Sequence, residues 1–198
     1  MLNLTDKLIT IKTKYYIYYI YNILYNFIYG IKVNNNQLSL YIMSFKILNN
    51  LTFLKYNSLI FLNNLVEIAV VDYISFQNRF EINYIFWNVK YSYRLILKIY
   101  TNGINLVYSI GDFYKSSLWL EREAWDMFGI KFFMHKGLRR ILTDYGFKGF
   151  PLRKDFPLIG YVDVFYDDCV QVIKVSPIEL AQSFRFYKFD NPWMKWYF

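Results

Sequence analysis

The sequence predicts an α+β domain in which helices pack on a mostly antiparallel or mixed sheet, with an N-terminal helix before it and a long extended C-terminal arm after it. Three observations lead to this prediction. Apolar residues alternate with polar ones in the middle of the chain, which is typical of strands, and helical segments flank these strands without a regular βαβ repeat. All four prolines lie in the last third of the 198 residues, at Pro151, Pro157, Pro177 and Pro192.

The first predicted element is a helix that spans about Ile9 to Tyr29 and overlaps the apolar run Tyr15 to Ile31. The run has no small-residue cleavage site, so a cleavable secretory signal is not expected. Its many tyrosines and two asparagines make it a poor membrane-spanning segment. We therefore expect a helix that packs on the domain or on a neighbouring chain, with a membrane-associated helix as the alternative. A polar break follows at Val33 to Ser39.

The core is predicted between residues 38 and 130, after an N-terminal helical extension at residues 1–37. Phe80 to Phe86 and Arg94 to Tyr100 each alternate apolar and polar side chains and are expected to pair as an antiparallel hairpin. Leu65 to Ile74 is apolar on both faces, as expected of a central buried strand. The remaining predicted core elements are a strand at Leu38 to Ser44, an interrupted helix at Ile47 to Asn63 and a helix at Tyr114 to Phe128.

The last segment, residues 131–198, is predicted to be a charged loop followed by an extended arm, because its prolines restrict the backbone and disfavour helix. One short hairpin is expected, in which Tyr161 to Tyr166 pairs with Val170 to Val175. The end, residues 184–198, is aromatic and basic. Exposed rings at this density usually bind a partner, so we expect this end to lie on another chain.

Composition limits the chemistry that the chain can perform. The sequence holds one cysteine, Cys169, and one histidine, His135. An iron–sulfur cluster generally takes four cysteines and a structural zinc ion four Cys or His ligands, so we expect no such centre. The net charge of +8 favours an anionic partner, which is nucleic acid, a membrane surface or an acidic protein face. Abundant Tyr and Phe indicate an A/T-rich genome such as that of an organelle.

The predicted helix at Tyr114 to Phe128 carries the first candidate site. Arg122 and Asp126 are spaced i,i+4 for a surface ion pair. Glu123 and Asp126 would suit acid/base catalysis, but no nucleophile, glycine-rich phosphate loop or metal set accompanies them. We instead expect Glu121, Glu123 and Asp126 to bind arginine or lysine, from the following run or from a partner. The apolar face of this helix is predicted to comprise Leu120, Ala124, Met127 and Phe128.

The run that follows the helix mixes basic, acidic and aromatic residues. A lone His135 is more often structural or an interface contact than a general base. Cations beside aromatic rings suit RNA binding, but Asp144 and Asp155 in the same run favour a protein–protein interface. An RNA-binding ribosomal protein is the second hypothesis, and a hydrolase that uses Glu123 and Asp126 is the third. The cations in question are Arg139, Arg140, Arg153 and Lys154, beside Phe147, Phe150 and Phe156.

These charged residues also resemble the signature of a known family. An ERE motif, an acidic residue, two apolar residues, a histidine and a basic–aliphatic stretch follow one another from Glu121 to Leu142, and the block LTDYGFKGFPLRKDFPLIGY stands at Leu142 to Tyr161. The pattern is similar to that of the 30-kilodalton subunit family of respiratory complex I, and looser similarity extends over about Leu38 to Trp193. Three positions depart from the family: Lys136 and Gly137 replace a proline and an acidic residue, and Phe150 replaces a frequent histidine.

The resemblance implies a structural core subunit in the quinone module of the peripheral arm of NADH:ubiquinone oxidoreductase. Such a subunit has no cofactor and no catalytic residues of its own, contributes only indirectly to electron transfer, and supports the 49-kilodalton subunit beside the 20-kilodalton subunit and other peripheral-arm subunits. The implied location is the matrix side of the mitochondrial inner membrane, with membrane association only through the complex and no nucleic acid partner. The implied subunit-contact residues in segment 131–198 and the preceding helix are Glu121, Arg122, Glu123, Asp126, His135, Arg139, Arg140, Asp144, Tyr145, Arg153, Lys154 and Asp155. Arg153, Lys154 and Asp155 are expected to run extended along the larger subunit.

Overall fold

The computed structural model describes residues 11–34 and 37–187, with side chains from residue 15 onward except at residue 34. These residues form two compact units, Met1–Phe156 and Pro157–Phe198, within which the elements are described separately. The sequence-based division at residues 37/38 and 130/131 stays a prediction. The first unit contains α1 (Ile11–Leu24), β1 (Ile28–Asn34), β2 (Gln37–Ile42), α2 (Ile47–Tyr56), β3 (Asn64–Asp72), β4 (Phe80–Asn88), β5 (Tyr93–Thr101), β6 (Val107–Tyr108), α3 (Ser117–Phe128) and β7 (Phe132–Phe133). The second unit contains β8 (Val162–Asp167) and β9 (Val172–Pro177).

A five-stranded mixed sheet organises the first unit. The strand order is β1-β2-β5-β4-β3, in which β2 and β5 run parallel and the other neighbours run antiparallel. A small parallel sheet joins β6 to β7. Helices and a mixed sheet share one hydrophobic cluster, which confirms the predicted α+β class.

The predicted central hairpin is confirmed, and its alternation explains the core. Phe86 of β4 pairs with Leu95 of β5, so that the apolar sides of the two strands lie on one face. The β4 residues on this face, Phe80, Ile82, Tyr84 and Phe86, are at most 2% exposed. Burying a side chain of this size stabilises the fold by about 1.5–3 kcal/mol.

The N-terminal prediction needs a correction. The helix packs on the domain as expected, since Ile17, Ile20 and Leu24 belong to the core, but it ends at Leu24. Ile28–Asn34 is a strand instead, and its Val33 pairs with Leu38 of β2. Most of the predicted polar break at Val33 to Ser39 therefore lies in paired strands. The backbone forms the hydrogen bonds between the strands, and polar side chains are tolerated because successive side chains point to opposite faces of the sheet.

Strand β3 lies close to its predicted residues, but its predicted place in the sheet is wrong. It is an edge strand rather than a central one, and only β4 pairs with it. Val66 and Val71 on this strand are exposed. Apolar residues on both faces of β3 therefore do not indicate a central strand. Helix α3 packs against this edge strand.

The helix predicted over Ile47 to Asn63 ends earlier than expected. Helix α2 stops at Tyr56, and the side chain of Asn57 accepts hydrogen bonds from the backbone N–H groups of Leu59 and Ile60. An asparagine that bonds its own following backbone in this way favours a turn over continued helix. Helix α3 was predicted from Tyr114 but begins at Ser117, and it ends at Phe128 as predicted. The next residue, Gly129, has a φ of +78°, the left-handed conformation typical of a helix C-terminus.

The second unit contains the predicted hairpin, shifted by one or two residues. Strands β8 and β9 pair antiparallel, with Val164 opposite Val175 and Tyr166 opposite Ile173. These four side chains are all more than half exposed. The prediction for the aromatic end lies largely outside the described residues, which stop at Tyr187.

Candidate functional site

The charged block identified in the sequence comprises α3 and the turns that follow it up to Phe156. Two of its carboxylates, Glu121 and Asp126, have fully buried side chains. Both were expected to bind arginine or lysine, either from the run that follows the helix or from a partner. Asp126 binds Arg140 of that run, as expected, whereas Glu121 accepts hydrogen bonds from Ser109 and from the backbone of Ile110.

Asp126 holds the loop after α3 in place. Its Oδ1 accepts hydrogen bonds from Arg140 Nη1 at 2.8 Å and from Thr143 Oγ1 at 2.6 Å. Its Oδ2 accepts three backbone N–H bonds, from Ile141 at 3.1 Å, Leu142 at 2.7 Å and Thr143 at 3.0 Å. We call this set, Asp126 with Arg140, Ile141, Leu142 and Thr143, the Asp126 clamp. It ties α3 to residues 14 to 17 positions further along the chain.

The clamp keeps Asp126 ionised. Burial alone would raise the pKa of this carboxyl, but the bonds from Thr143, the backbone N–H groups and Arg140 outweigh burial and hold the pKa well below its usual range. Arg140 is itself fixed, because its Nη2 donates to the carbonyl of Gly149 at 3.0 Å and its guanidinium lies over the Phe150 ring at 5.2 Å. Arg140 therefore acts within the chain.

The predicted surface pair between Arg122 and Asp126 is wrong. Arg122 donates to the backbone carbonyls of Arg139, at 3.1 Å, and Arg140. Its guanidinium stacks over the exposed ring of Trp119 at 4.9 Å. Arg122 and Asp126 thus brace the same loop from α3 through different groups.

Glu121 lies in a separate buried pocket. Its Oε2 accepts from Ser109 Oγ at 2.5 Å and its Oε1 from the backbone N–H of Ile110 at 2.8 Å. Burial raises the pKa of this carboxyl, and the two hydrogen bonds oppose the rise only in part. The carboxylate was not expected to bind neutral donors, and it connects α3 to the segment after β6.

His135 is placed beside this pocket. Its side chain is 1% exposed, and its Nε2 lies 3.0 Å from the carbonyl of Leu118 and 3.9 Å from Glu121 Oε2. Because a carbonyl only accepts, Nε2 carries the hydrogen in this arrangement. The buried Nδ1 has no hydrogen-bond partner among the described residues. Burial against the helix favours a structural role over a general base.

The segment between Pro151 and Pro157 folds back as a series of turns, so the expectation that it runs extended is wrong. Arg153 Nε donates to the carbonyl of Phe128 at 2.6 Å, and the guanidinium packs over Phe150 at 4.4 Å. Gly129 makes room for this contact, since a Cβ built there would lie 2.5 Å from Arg153 Nη2.

A second ion-pair group fixes the end of this segment. Arg79 binds Asp72 with two bonds, Nε to Oδ1 at 2.6 Å and Nη2 to Oδ2 at 2.7 Å, and reaches Asp155 Oδ2 with Nη1 at 2.8 Å. The backbone N–H of Lys154 also donates to Asp72 at 2.9 Å. Arg79 is the main cause of the lowered pKa of both carboxyls. We call Arg79, Asp72 and Asp155 the Arg79 hub.

The remaining predicted site residues face solvent. Glu123, Arg139, Asp144 and Lys154 are exposed, and Tyr145 is fully so. The structure therefore divides the predicted set in two. Arg122, Asp126, Arg140, Arg153 and Asp155 hold the loop against the domain, with Glu121 and His135 buried nearby, while the exposed group is available to a partner.

This geometry argues against the catalytic and RNA-binding alternatives. Glu123 is exposed whereas every oxygen of Asp126 is committed to the clamp, so the two carboxylates do not form an acid/base pair. Arg140 and Arg153 are used internally, which removes them from a phosphate-binding track. Among the described residues, no group of His, Cys, Asp and Glu side chains is arranged to hold a metal ion. Nor does that part of the chain contain a helix with the length and apolar character needed to cross a bilayer.

Sequence reasoning missed Asp72, Arg79, Ser109 and Thr143. A signal existed for the first two, because Asp72 is a charged residue at the end of a largely apolar strand. In the antiparallel pair of β3 and β4, Asp72 lies opposite Phe80, the residue next to Arg79. Ser109 and Thr143 carry no such signal, since neither residue type is unusual in a turn.

The fold defines the class of protein: a small α+β domain in which helices pack on a five-stranded mixed sheet. A fragment of Nqo5 shares the fold with a TM-score of 0.52 at 20% identity, over 64% of this chain and 99% of that chain. A chain of the archaeal membrane-bound sulfane sulfur reductase, a respiratory membrane complex, shares it with a TM-score of 0.64 at 21% identity, over 75% and 87%. At these identities the likeness shows the fold alone.

Sequence comparison identifies the family. The model of the family described as "Respiratory-chain NADH dehydrogenase, 30 Kd subunit" matches residues 40–162, and the chain belongs to this family. It is 49% identical over 129 residues to NADH-ubiquinone oxidoreductase subunit 9 of Acanthamoeba castellanii, covering 65% of each. It is 47% identical over 127 residues to NADH dehydrogenase [ubiquinone] iron-sulfur protein 3 of Beta trigyna, covering 64% of this chain and 66% of that relative. The matched region thus spans a little under two thirds of these relatives.

Proposed function

We propose that the chain is a structural core subunit of the peripheral arm of NADH:ubiquinone oxidoreductase, complex I, where it supports the 49-kilodalton subunit next to the 20-kilodalton subunit. The observation that carries this proposal is the hairpin β8–β9. Register places Val162, Val164, Tyr166, Ile173 and Val175 on one face, and all five are more than half exposed. A two-stranded hairpin with one wholly apolar face is marginal in water by itself and is stabilised when a partner covers that face.

The internally paired loop supports the same proposal. The Asp126 clamp and the Arg79 hub hold the loop in one conformation without help from another chain. A surface that is ordered before binding loses less conformational entropy when a partner docks. Exposed Arg139 and Tyr145 beside the clamp are of the residue types that most often anchor interfaces.

The proposed contribution to electron transfer from NADH to ubiquinone is indirect. One cysteine and one histidine in the whole sequence are too few for an iron–sulfur cluster. Redox centres would then belong to neighbouring subunits, and this chain would fix the position of those subunits. We place it on the matrix side of the mitochondrial inner membrane, attached to the membrane through the complex. The name of the amoebal relative, subunit 9 of NADH-ubiquinone oxidoreductase, supports the assignment to this enzyme.

The test introduces charge on the apolar face of the hairpin. The double variant Val164→Lys and Ile173→Lys replaces the wild-type chain in its host, and Asp163→Lys on the opposite face is the matched control. Gently solubilised membranes are separated on a native gel, stained for NADH dehydrogenase activity and analysed by mass spectrometry. We expect the wild-type chain and the control in an active band of about a megadalton, and the double variant absent from it. Equal incorporation of all three chains would refute the proposed role of the hairpin.

A second variant tests the loop surface. Arg139→Glu reverses an exposed charge that makes no internal ion pair among the described residues. We expect it to reduce assembly while leaving the stability of the isolated chain within about 0.5 kcal/mol, as is usual for an exposed substitution. Normal assembly would remove Arg139 from the interface.

A further inference from the structure

A tyrosine-rich groove lies outside the charged block and the hairpin. It has a volume of about 980 Å³ and runs between α1 and the turn that connects β4 to β5. Tyr15, Tyr18 and Ile23 line it from the helix, and Lys90, Tyr91 and Arg94 line it from the turn and the start of β5. We call these six residues the Tyr groove.

Helix α1 is apolar on the face that the core does not use. Ile17, Ile20 and Leu24 are buried in the core, whereas Tyr15 and Tyr18 are 74% and 63% exposed. Large aromatic side chains clustered on an exposed face often mark an interaction site. The outer face of α1 therefore has the character of a contact surface, and its tyrosines combine large apolar area with hydroxyl groups that bond a polar ligand.

The charge at the groove indicates the chemistry of the ligand. Lys98 and Arg79 elsewhere in this unit are each neutralised by a carboxylate, Glu81 and Asp72 respectively. Lys90 and Arg94 are the cations that line the groove, and like Lys115 and Arg139 they form no ion pair with a carboxylate of residues 15–33 and 37–187. Their cationic groups lie 5.2 and 6.0 Å from the ring centres of Tyr91 and Trp87.

The groove is large enough to hold a segment of peptide chain. Small-molecule pockets occupy about 300–1,000 Å³ and enclose most of their ligand. The volume of the Tyr groove lies within that range, so the lining, rather than the volume, indicates the ligand. The groove runs along α1 and the turn between β4 and β5, with Leu38 and Leu59 also in its lining, and this extended lining suits a segment of chain lying across it. Aromatic grooves are a recurrent way to bind peptide segments.

We propose that the Tyr groove binds an acidic peptide segment of a neighbouring subunit, with apolar side chains of that segment on the tyrosine rings and its carboxylates paired with Lys90 and Arg94. This inference rests on the proposed function in one respect, namely that the chain has neighbouring subunits. It concerns a surface separate from the hairpin and from the loop, so the three are tested independently.

The experiment uses the assembled complex. A photo-cross-linking residue, p-benzoylphenylalanine, replaces Tyr18, and in the control it replaces Tyr56, which is 74% exposed on α2 but does not line the groove. Incorporation into the active native-gel band is verified first. After irradiation, we expect the Tyr18 variant to cross-link to a peptide of another subunit that carries net negative charge, and the Tyr56 variant not to label that peptide.

Charge reversal then tests the pairing. Combining the Tyr18 probe with Lys90→Glu and Arg94→Glu should reduce the yield of the cross-link by about tenfold or more, because like charges would face each other. The matched control, Lys115→Glu, reverses an exposed charge outside the groove and should leave the yield unchanged.

Other results would overturn the inference. In the first experiment these are no cross-link at all, or cross-links only to lipid, only to residues 1–10 of the same chain or only to a segment without net negative charge. In the second experiment it is a cross-link yield that charge reversal does not change. If the chain enters the active band and the cross-link result is one of these, only the Tyr groove inference fails. If the wild-type chain is absent from the band, the proposed function fails, and the inference fails with it.

Discussion

Replacing Asp126 with asparagine is expected to release the loop after α3. The substitution is nearly isosteric, but it removes the negative charge that pairs with Arg140 and replaces one acceptor oxygen by an NH2 group. Five donors converge on the two carboxylate oxygens, two on Oδ1 and three on Oδ2. Whichever way the amide turns, its NH2 group faces at least one donor that it cannot satisfy.

The expected magnitude follows from burial. Removing one partner of a buried ion pair costs about 3–5 kcal/mol. The side chain of Asp126 is fully buried, but that of Arg140 is 25% exposed, so water partly compensates the arginine and the loss falls near the lower end of that range. With a denaturant slope of about 2 kcal/mol per molar urea, the midpoint of unfolding should fall by about 1.5 M.

Urea denaturation of the purified chain, followed by tryptophan fluorescence, measures this change. The matched control is Glu123→Gln on the same helix, which makes the same chemical change at an exposed position and should shift stability by no more than about 0.5 kcal/mol. Limited proteolysis should cleave the loop faster in the Asp126 variant. A midpoint equal to that of the control would refute the clamp as a stabilising group.

The pH dependence gives a second check on the same residue. Because the folded pKa of Asp126 lies below its unfolded value of about 3.9, its contribution is complete above that value and is lost as pH falls towards the folded pKa. The wild-type chain should therefore lose stability below about pH 4, and Asp126→Asn should lack this part of the loss.

Three further predictions concern other parts of the site. Burial raises the pKa of Glu121, so the stability of the wild type should fall as pH rises from the unfolded pKa of about 4.3 through the folded pKa. Urea midpoints measured across pH should show a smaller fall for Glu121→Gln, and an equal fall in both chains would contradict this prediction. Arg79→Lys keeps the charge but loses the fork to a buried carboxylate, and should cost about 1.5–3 kcal/mol in the same assay, which an unchanged midpoint would exclude. Gly129→Ala and the control Gly137→Ala both place alanine at a positive φ, +78° and +86°, which costs about 1–2 kcal/mol of backbone strain. Only at Gly129 does the new Cβ also meet Arg153, so this variant should lose more unfolding free energy, and equal losses would refute the close packing.

The local parts of the fold were accessible from sequence pattern. The β4–β5 hairpin follows from strict alternation, and α3 follows from its apolar face and the glycine after it. The position of β3 was not accessible in this way, because apolar residues on both faces suit a central strand and also an edge strand that packs against a helix. Similarly, only Tyr25, Asn26 and Phe27 separate α1 from the strand Ile28–Asn34, and this short, mostly apolar connection made a longer helix the favoured prediction.

The sequence by itself determined the family signature, the α+β class and the scarcity of cysteine and histidine, from which no iron–sulfur cluster is expected. It also identified which residues are chemically distinctive, since Asp126, Arg140 and Arg153 all stood out in the charged block. Only the tertiary structure showed that these charged side chains bind partners within the chain. Asp126 has its partners between Arg140 and Thr143, beyond the end of its own helix, and Asp72 is bound both by the nearby Arg79 and by the backbone of the distant Lys154. A buried charge is stable only where folding brings donors from separate segments around it, and no local pattern records that arrangement.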